Sequence, residues 1–330
     1  MRPYAIALLL ACCLAAGLYQ MNVAGQAPSS AASHISAAKA AAGSEHTALI
    51  EGLCSPLPDP LDAPPPPRSQ WHADPVKVFD NLYFVGMTEY SAWAVTTSQG
   101  IIIIDALYDY SVEDEVVGGL RRLGLDPAQI KYVLVSHGHS DHVGGASYLQ
   151  ERFGARVILS SADWDLVATD RGTWPKPKRD IVAVDGQRLT LGDTTLTLYL
   201  TPGHTAGTIS TFVPVKDNGT PHLAAAWGGT PFNWTRPSRR SRYITPDRPD
   251  TWWFDAYSSS AKRFRDIVTS AGADVLISNH TNFDGSKTKL PALANRKARD
   301  SHPYVIGNDS VRRYVTVADE CAQAGLLNFK

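Results

Sequence analysis

The chemistry of this chain is concentrated in Ser136-His137-Gly138-His139-Ser140-Asp141-His142, where histidines and an aspartate crowd into a few consecutive positions. A solitary core histidine usually needs one hydrogen-bond partner and nothing more. Several beside a carboxylate are a different matter, because neutral imidazole and carboxylate are natural ligands of a divalent transition metal. In an extended loop, residues two apart project to one side. His137 and His139 can therefore grip one ion while Asp141 and His142 turn toward a neighbour. Two further histidines end apolar runs: His204 in Thr201-Pro202-Gly203-His204-Thr205, and His280 in Leu276-Ile277-Ser278-Asn279-His280. Neighbouring strand ends meet at one rim of a sheet, so six ligands from separate segments can converge there. A zinc ion with three protein ligands keeps a position for water and lowers that water's pKa from 15.7 toward about 7. That chemistry needs no serine or cysteine nucleophile.

The elements that must position these residues are legible as alternating strands and helices. Val78 to Val85, Ser91 to Thr97 and Gly100 to Ile104 are β-branched or aromatic and bounded by turn residues, which predicts strands. The run Ile101-Ile102-Ile103-Ile104 predicts a strand covered on both faces. Val112 to Leu123 has helical spacing, Tyr132 to Val135 reads as a buried strand that delivers the histidine loop, and a helix is expected from Gly144 to Phe153. Further strands are expected at 156–159, 188–191, 194–200, 208–215, 223–227 and 275–278, with helices at 252–270 and 310–324. Strands and helices mixed in both halves predict two sheets with helices outside, an α/β/β/α sandwich.

The chain has 330 residues, 44% hydrophobic and 19% charged, with a formal net charge of −1. It can bury a full core, and its balance gives no electrostatic reason to bind nucleic acid or an anionic membrane. The partner expected is a small-molecule substrate; the oligomeric state is not legible. Residues 1–27 open on Arg2, run apolar from Ala5 to Leu18 and turn small and polar, which predicts a removable secretory signal and a periplasmic or secreted protein. The apolar run is shorter than the roughly 20 residues that cross a bilayer. Leu9-Leu10-Ala11-Cys12 leaves a second option, lipid anchoring at Cys12. Residues 28–70, rich in Ala, Ser and Pro, read as a flexible or extended leader with a short helix near Leu49 to Leu53 and a polyproline spacer. The folded domain is expected over 71–330, with its first strand near Val76. No cysteine pair has C-x-x-C spacing. Once a signal is removed, Cys54 and Cys321 remain, either paired or as free thiols.

His-x-His-x-Asp-His after an apolar strand, followed by Gly203-His204-Thr205 and the strand-end His280, resembles the metallo-β-lactamase superfamily over about residues 76–325. The resemblance implies two zinc ions, the first held by His137, His139 and His204 and the second by Asp141, His142 and His280. It implies that Asp141 also orients the attacking water and that Asp105 supports the metal loop. Glyoxalase II and most lactonases of that superfamily carry a bridging Asp in a Gly-Asp-Thr; the matching segment here is Gly228-Gly229-Thr230, which offers no carboxylate. That pattern is similar to the subclass B3 metallo-β-lactamases and implies an exported enzyme that opens a β-lactam ring. A lactonase or small ester or amide hydrolase, and a zinc-binding periplasmic module without catalysis, remain as alternatives. Trp174, Asn233, Trp234, Arg236, Arg239 and Arg240 are the candidates for walling the substrate groove. The segment around them lacks the serines by which B3 enzymes contact the drug's carboxylate.

Overall fold

The computed structural model describes residues 30–55, 59, 65–297 and 299–328; the expected signal and Cys12 lie outside them. Among the described residues, twelve strands form two sheets. The first holds β1 (Val76–Lys77), β2 (Leu82–Phe84), β3 (Trp93–Thr97), β4 (Gly100–Ile104), β5 (Ile130–Leu134), β6 (Arg156–Ser160) and β7 (Ile181–Ala183) in sequential order. Antiparallel pairing from β1 to β4 gives way to parallel pairing from β4 to β7. The second sheet holds β8 (Arg188–Leu191), β9 (Thr194–Leu200), β10 (Ile209–Asp217), β11 (Thr220–Trp227) and β12 (Val275–Ser278), in the order β12-β11-β10-β9-β8, with β11 and β12 parallel.

Side-chain alternation explains how four layers arise from these strands. In β4, Ile102 and Ile104 face the second sheet and pack with Leu196, Val213 and Ile277, whereas Ile101 and Ile103 face outward against Val116, Leu120 and Leu149. The expected two-sided burial of the isoleucine run is what occurs. On the far side, Phe212, Trp227 and Leu276 pack under the long helix Asp250–Ala271 and the closing helix Asn308–Asn328. The layers are helix, sheet, sheet, helix, the α/β/β/α sandwich expected.

Three expectations need correction. Val78 to Val85 is not one strand: Phe79 to Asn81 turn between β1 and β2, with Asp80 N–H donating to the Lys216 carbonyl. The helix expected over Val112 to Leu123 begins as a π-helical turn at Glu113–Val117 before Gly118–Arg122 becomes α-helical. The third concerns the leader, whose residues 31–42 are helical rather than extended. Ser30 caps the helix Ala31–Ala42, and a second helix, Thr47–Leu53, follows. Alanine is the best helix former, and its small side chain lets Ala38 and Ala42 sit against the closing helix beside Val311, Tyr314 and Ala318. His34 lies 2.7 Å from Glu320, and Cys54 is disulfide-bonded to Cys321 with Cα atoms 4.9 Å apart. Trp71, in the turn of helix Arg68–Trp71, is buried as well. Among the described residues no helix is long and apolar enough to cross a membrane.

Candidate metal centre

The carboxyl ends of β4, β5, β11 and β12 open on one rim, which explains why segments far apart in sequence meet there. Leaving β4, Asp105 adopts a left-handed φ of 59°, a conformation aspartate tolerates better than most residues. Its carboxylate accepts from Ser136 N–H (2.7 Å) and Ser136 Oγ–H (2.8 Å), and it lies 2.9 Å from His142 Nδ1. The loop after β5 is thereby fixed at both its start and its helical end. The expected supporting position of Asp105 is the place it occupies.

Six side chains converge. His137 Nε2 lies 3.1 Å from His204 Nε2, and His139 Nδ1 is also 3.1 Å from His204 Nε2. Beside them, His142 Nε2 is 3.3 Å from His280 Nε2 and 3.2 Å from Asp141 Oδ2, which is 3.8 Å from His280 Nε2. Two nitrogens at tetrahedral positions about 2.1 Å from one zinc stand about 3.4 Å apart. The observed spacing is close to that.

The tautomers supply the test of whether a cation fits. His137 Nδ1–H donates to the Gly228 carbonyl (2.8 Å) and His204 Nδ1–H to the Pro231 carbonyl (2.6 Å). A carbonyl only accepts, so each ring turns an unprotonated Nε2 toward the other. Facing lone pairs repel unless a cation lies between them. His139 presses Nε2 against the Tyr243 hydroxyl (2.6 Å), which leaves Nδ1 for the same centre. His137, His139 and His204, and with them Asp141 and His142, therefore suit a divalent metal in type, spacing and orientation.

Burial drives the pKa of His137 and His139 well down, of His204 to about 4 and of His280 to about 3. Those rings are neutral near pH 7, as metal ligation requires. His142 is the exception. Burial opposes its charge, but Asp141 and Asp105 outweigh burial and raise it to about 10. Without a metal, His142 carries the positive charge that a cation would replace. Burial likewise favours a neutral Asp141, yet His142 and His280 hold it well below the usual carboxylate range.

The cleft above these residues has two ends. One is a cavity of about 240 Å3 lined by His139, Asp141, His204 and His280 and by Asn233, Arg236, Arg239 and Arg242. The other, about 950 Å3, is walled by Trp71, Tyr90, Tyr108, Tyr110 and Trp174. Tyr108 and Tyr110 stack at 5.0 Å, and Tyr90, edge-on to Tyr108, leans at a tilt on His280 with ring centres 5.1 Å apart. Trp174, Asn233, Arg236 and Arg239 thus sit where the sequence placed them. Trp234 and Arg240 do not: Trp234 is fully buried among Phe232, Trp253 and Phe254, and Arg240 pairs with Asp250. Sequence reading missed Arg242, Tyr243 and the tyrosine wall. A three-residue spacing from Arg236 through Arg239 to Arg242 was the available signal for the first.

Residues 86–217 match the metallo-beta-lactamase superfamily. The chain carries a metallo-beta-lactamase superfamily domain. Among solved structures, BJP-1, a subclass B3 metallo-beta-lactamase of Bradyrhizobium japonicum, is 25% identical with a TM-score of 0.63, covering 76% of this chain and 93% of that one. FEZ-1 from Legionella gormanii, 22% identical and with a TM-score of 0.63 over 78% and 98% of the two chains, shares the fold. A hydroxyacylglutathione hydrolase of Pseudomonas syringae is 30% identical over 152 residues, 43% of this chain and 54% of that protein. The match thus spans about half of that relative. Another of the same name, from Crocosphaera subtropica, is 26% identical over 66% and 86% of the two lengths. The fold and the His/Asp cluster of this superfamily domain point to a divalent metal.

Proposed function

We propose that the protein is an exported dizinc hydrolase that opens cyclic amides bearing a carboxylate, β-lactams first among them, with zinc at His137/His139/His204 and at Asp141/His142/His280. The observation that carries the reading is the convergence of the unprotonated imidazole nitrogens of His137, His139 and His204 on one cleft, beside Arg236, Arg239 and Arg242, which form no ion pair among the described residues. What bound cations supply there is Lewis-acid polarisation and a water acidified toward neutrality.

The remaining work falls to this chain's own groups. Asp141, kept ionised, orients the attacking water. Arg236, whose buried Nε has no hydrogen-bond partner among the described residues, and Arg239 receive the substrate's carboxylate and fix the ring over the cleft floor. In the reaction the water's oxygen bonds to the carbonyl carbon, the C–N bond breaks, and the nitrogen takes the proton.

A second reading, thioester or lactone hydrolysis, draws on the names of the curated relatives. Position 229 weighs against it. A Cβ there would lie 2.5 Å from Cβ and Cγ of His204, so the bridging carboxylate expected of such enzymes has no space without a shift. Export draws support from the Cys54–Cys321 disulfide, since such bonds persist in oxidising compartments. A zinc-dependent kinetic screen over penicillins, cephalosporins, carbapenems, lactones and glutathione thioesters decides. Turnover of thioesters or lactones alone removes the β-lactamase reading, and two bound zincs with no turnover favour a binding module.

A further inference from the structure

We propose that Asp163 is a positioning residue for the first metal: its carboxylate buckles the loop carrying His137 and His139 to the loop carrying His204. The inference rests on the metal-centre reading above. The three ligands of that site come from two segments that no covalent link joins, and their facing lone pairs push them apart. One oxygen of Asp163 ties the two segments together. Oδ2 accepts from Gly138 N–H (2.8 Å), between His137 and His139, and from Thr205 Oγ–H (2.8 Å), next to His204.

A simpler role for Asp163 would be local capping of its own helix, Ser161–Thr169. Ser160 is the N-cap and its Oγ accepts from Asp163 N–H (3.2 Å), which places Asp163 at the third helical position. There an acidic side chain ordinarily reaches back to the N-cap N–H. Asp163 instead turns across to the metal loops.

Two glycines of the histidine motifs, neither able to ligate, mark the same contact. A Cβ at Gly138 would stand 3.0 Å from the Asp163 carbonyl, and one at Gly207 would stand 2.7 Å from Asp163 Oδ1. Both loops are thinned to backbone where they approach this residue. The carboxylate is 1% exposed, and burial raises its pKa to about 6. Nothing in the helix itself requires an acid at so costly a position.

The test reads metal affinity rather than turnover. In a His280→Ala background, which disables the second site, metal-free full-length protein is titrated with Zn2+ against a chromophoric chelator. Asp163→Ala, which removes the accepting oxygen altogether, and Thr205→Val, which removes only the hydroxyl partner, should each weaken zinc about tenfold or more. In a His204→Ala background, which leaves the second site, the same changes should alter affinity by less than about twofold. First-site affinity unchanged in both variants overturns the proposal. So does an equal loss at both sites accompanied by a lower melting temperature of the metal-free protein, which marks a general structural role. If Asp163→Ala does not fold, Thr205→Val decides. Wild-type protein that binds no zinc sinks the metal centre and this inference together, whereas zinc bound without turnover sinks only the hydrolase reading.

Discussion

At the scale of single residues, the centre depends on which nitrogen of each histidine is free, and that is set by the partner of the other nitrogen. For His139 the partner is the Tyr243 hydroxyl, 2.6 Å from Nε2 on a short helix in the arginine-bearing segment; it fixes the ring's orientation, with Nδ1 toward the centre. Replacing Tyr243 with phenylalanine should weaken zinc binding about tenfold, as loss of a partner behind a metal ligand typically does, with little change in melting temperature; chelator competition measures it. Arg236 makes a separate claim. Arg236→Met should raise KM for a carboxylate-bearing substrate about tenfold, the loss of about 1.4 kcal/mol expected of a charge-assisted hydrogen bond, while kcat changes less. An unchanged KM would show that the carboxylate binds elsewhere. Neither tyrosine nor arginine was legible as functional with the clarity of the histidines, because a phenol or guanidinium is equally common on any surface. Only the fold decides which of them faces the cleft.

At the scale of elements, strands whose side chains face two cores announced themselves best. β4 and β12, buried along nearly their whole length, begin and end where the sequence predicts, since runs such as Ile101 to Ile104 have no other packing solution, and the alternating β8 and β9 were bounded as well by their flanking turns. The helices Ser161–Thr169 and Ser286–Ala294, and strand β7, went unread. They lack a strong apolar stripe, and Ser286–Ala294 contains Pro291. The leader was misread for a related reason: alanine-rich composition suits both a linker and a helix, and only the closing helix supplies a surface to dock on. The disulfide between Cys54 and Cys321 fastens that docking across 267 residues. Reducing it, or replacing both cysteines with serine, should cost about 2–5 kcal/mol of stability and leave zinc stoichiometry intact. Thermal unfolding with and without reductant checks the first, and metal analysis the second.

At the scale of the whole molecule, the metal centre makes stability depend on acid. The histidines with lowered pKa, His204 and His280 at about 4 and about 3 among them, stay neutral in the folded chain but protonate below pH 6.5 once unfolded. Their contribution is therefore present above pH 6.5 and lost as pH falls, by up to about 1.4 kcal/mol per pH unit for each ring. Asp163 and Asp284, both raised to about 6, act in the opposite sense, since their contribution is complete at low pH and lost as pH rises through 6. Three carboxyls, counting Glu115, oppose six rings, counting His46, His137, His139 and His302, so the melting temperature of metal-free protein should fall between pH 6.5 and 5; a rise would contradict the burial of these imidazoles. Zinc at a hundred times its dissociation constant should restore about 2.7 kcal/mol, and a chelator should remove it. The sequence alone determined the ligand types, their order and the strands that carry them, because metal chemistry and two-sided burial each constrain residue identity locally. Tertiary structure alone decided which tyrosines wall the cleft, that Trp234 and Arg240 turn away from it, that the helix Ala31–Ala42 packs on the closing helix, and that Asp163 joins two loops. Those facts depend on contacts between segments far apart along the chain, and nothing in local spacing encodes them.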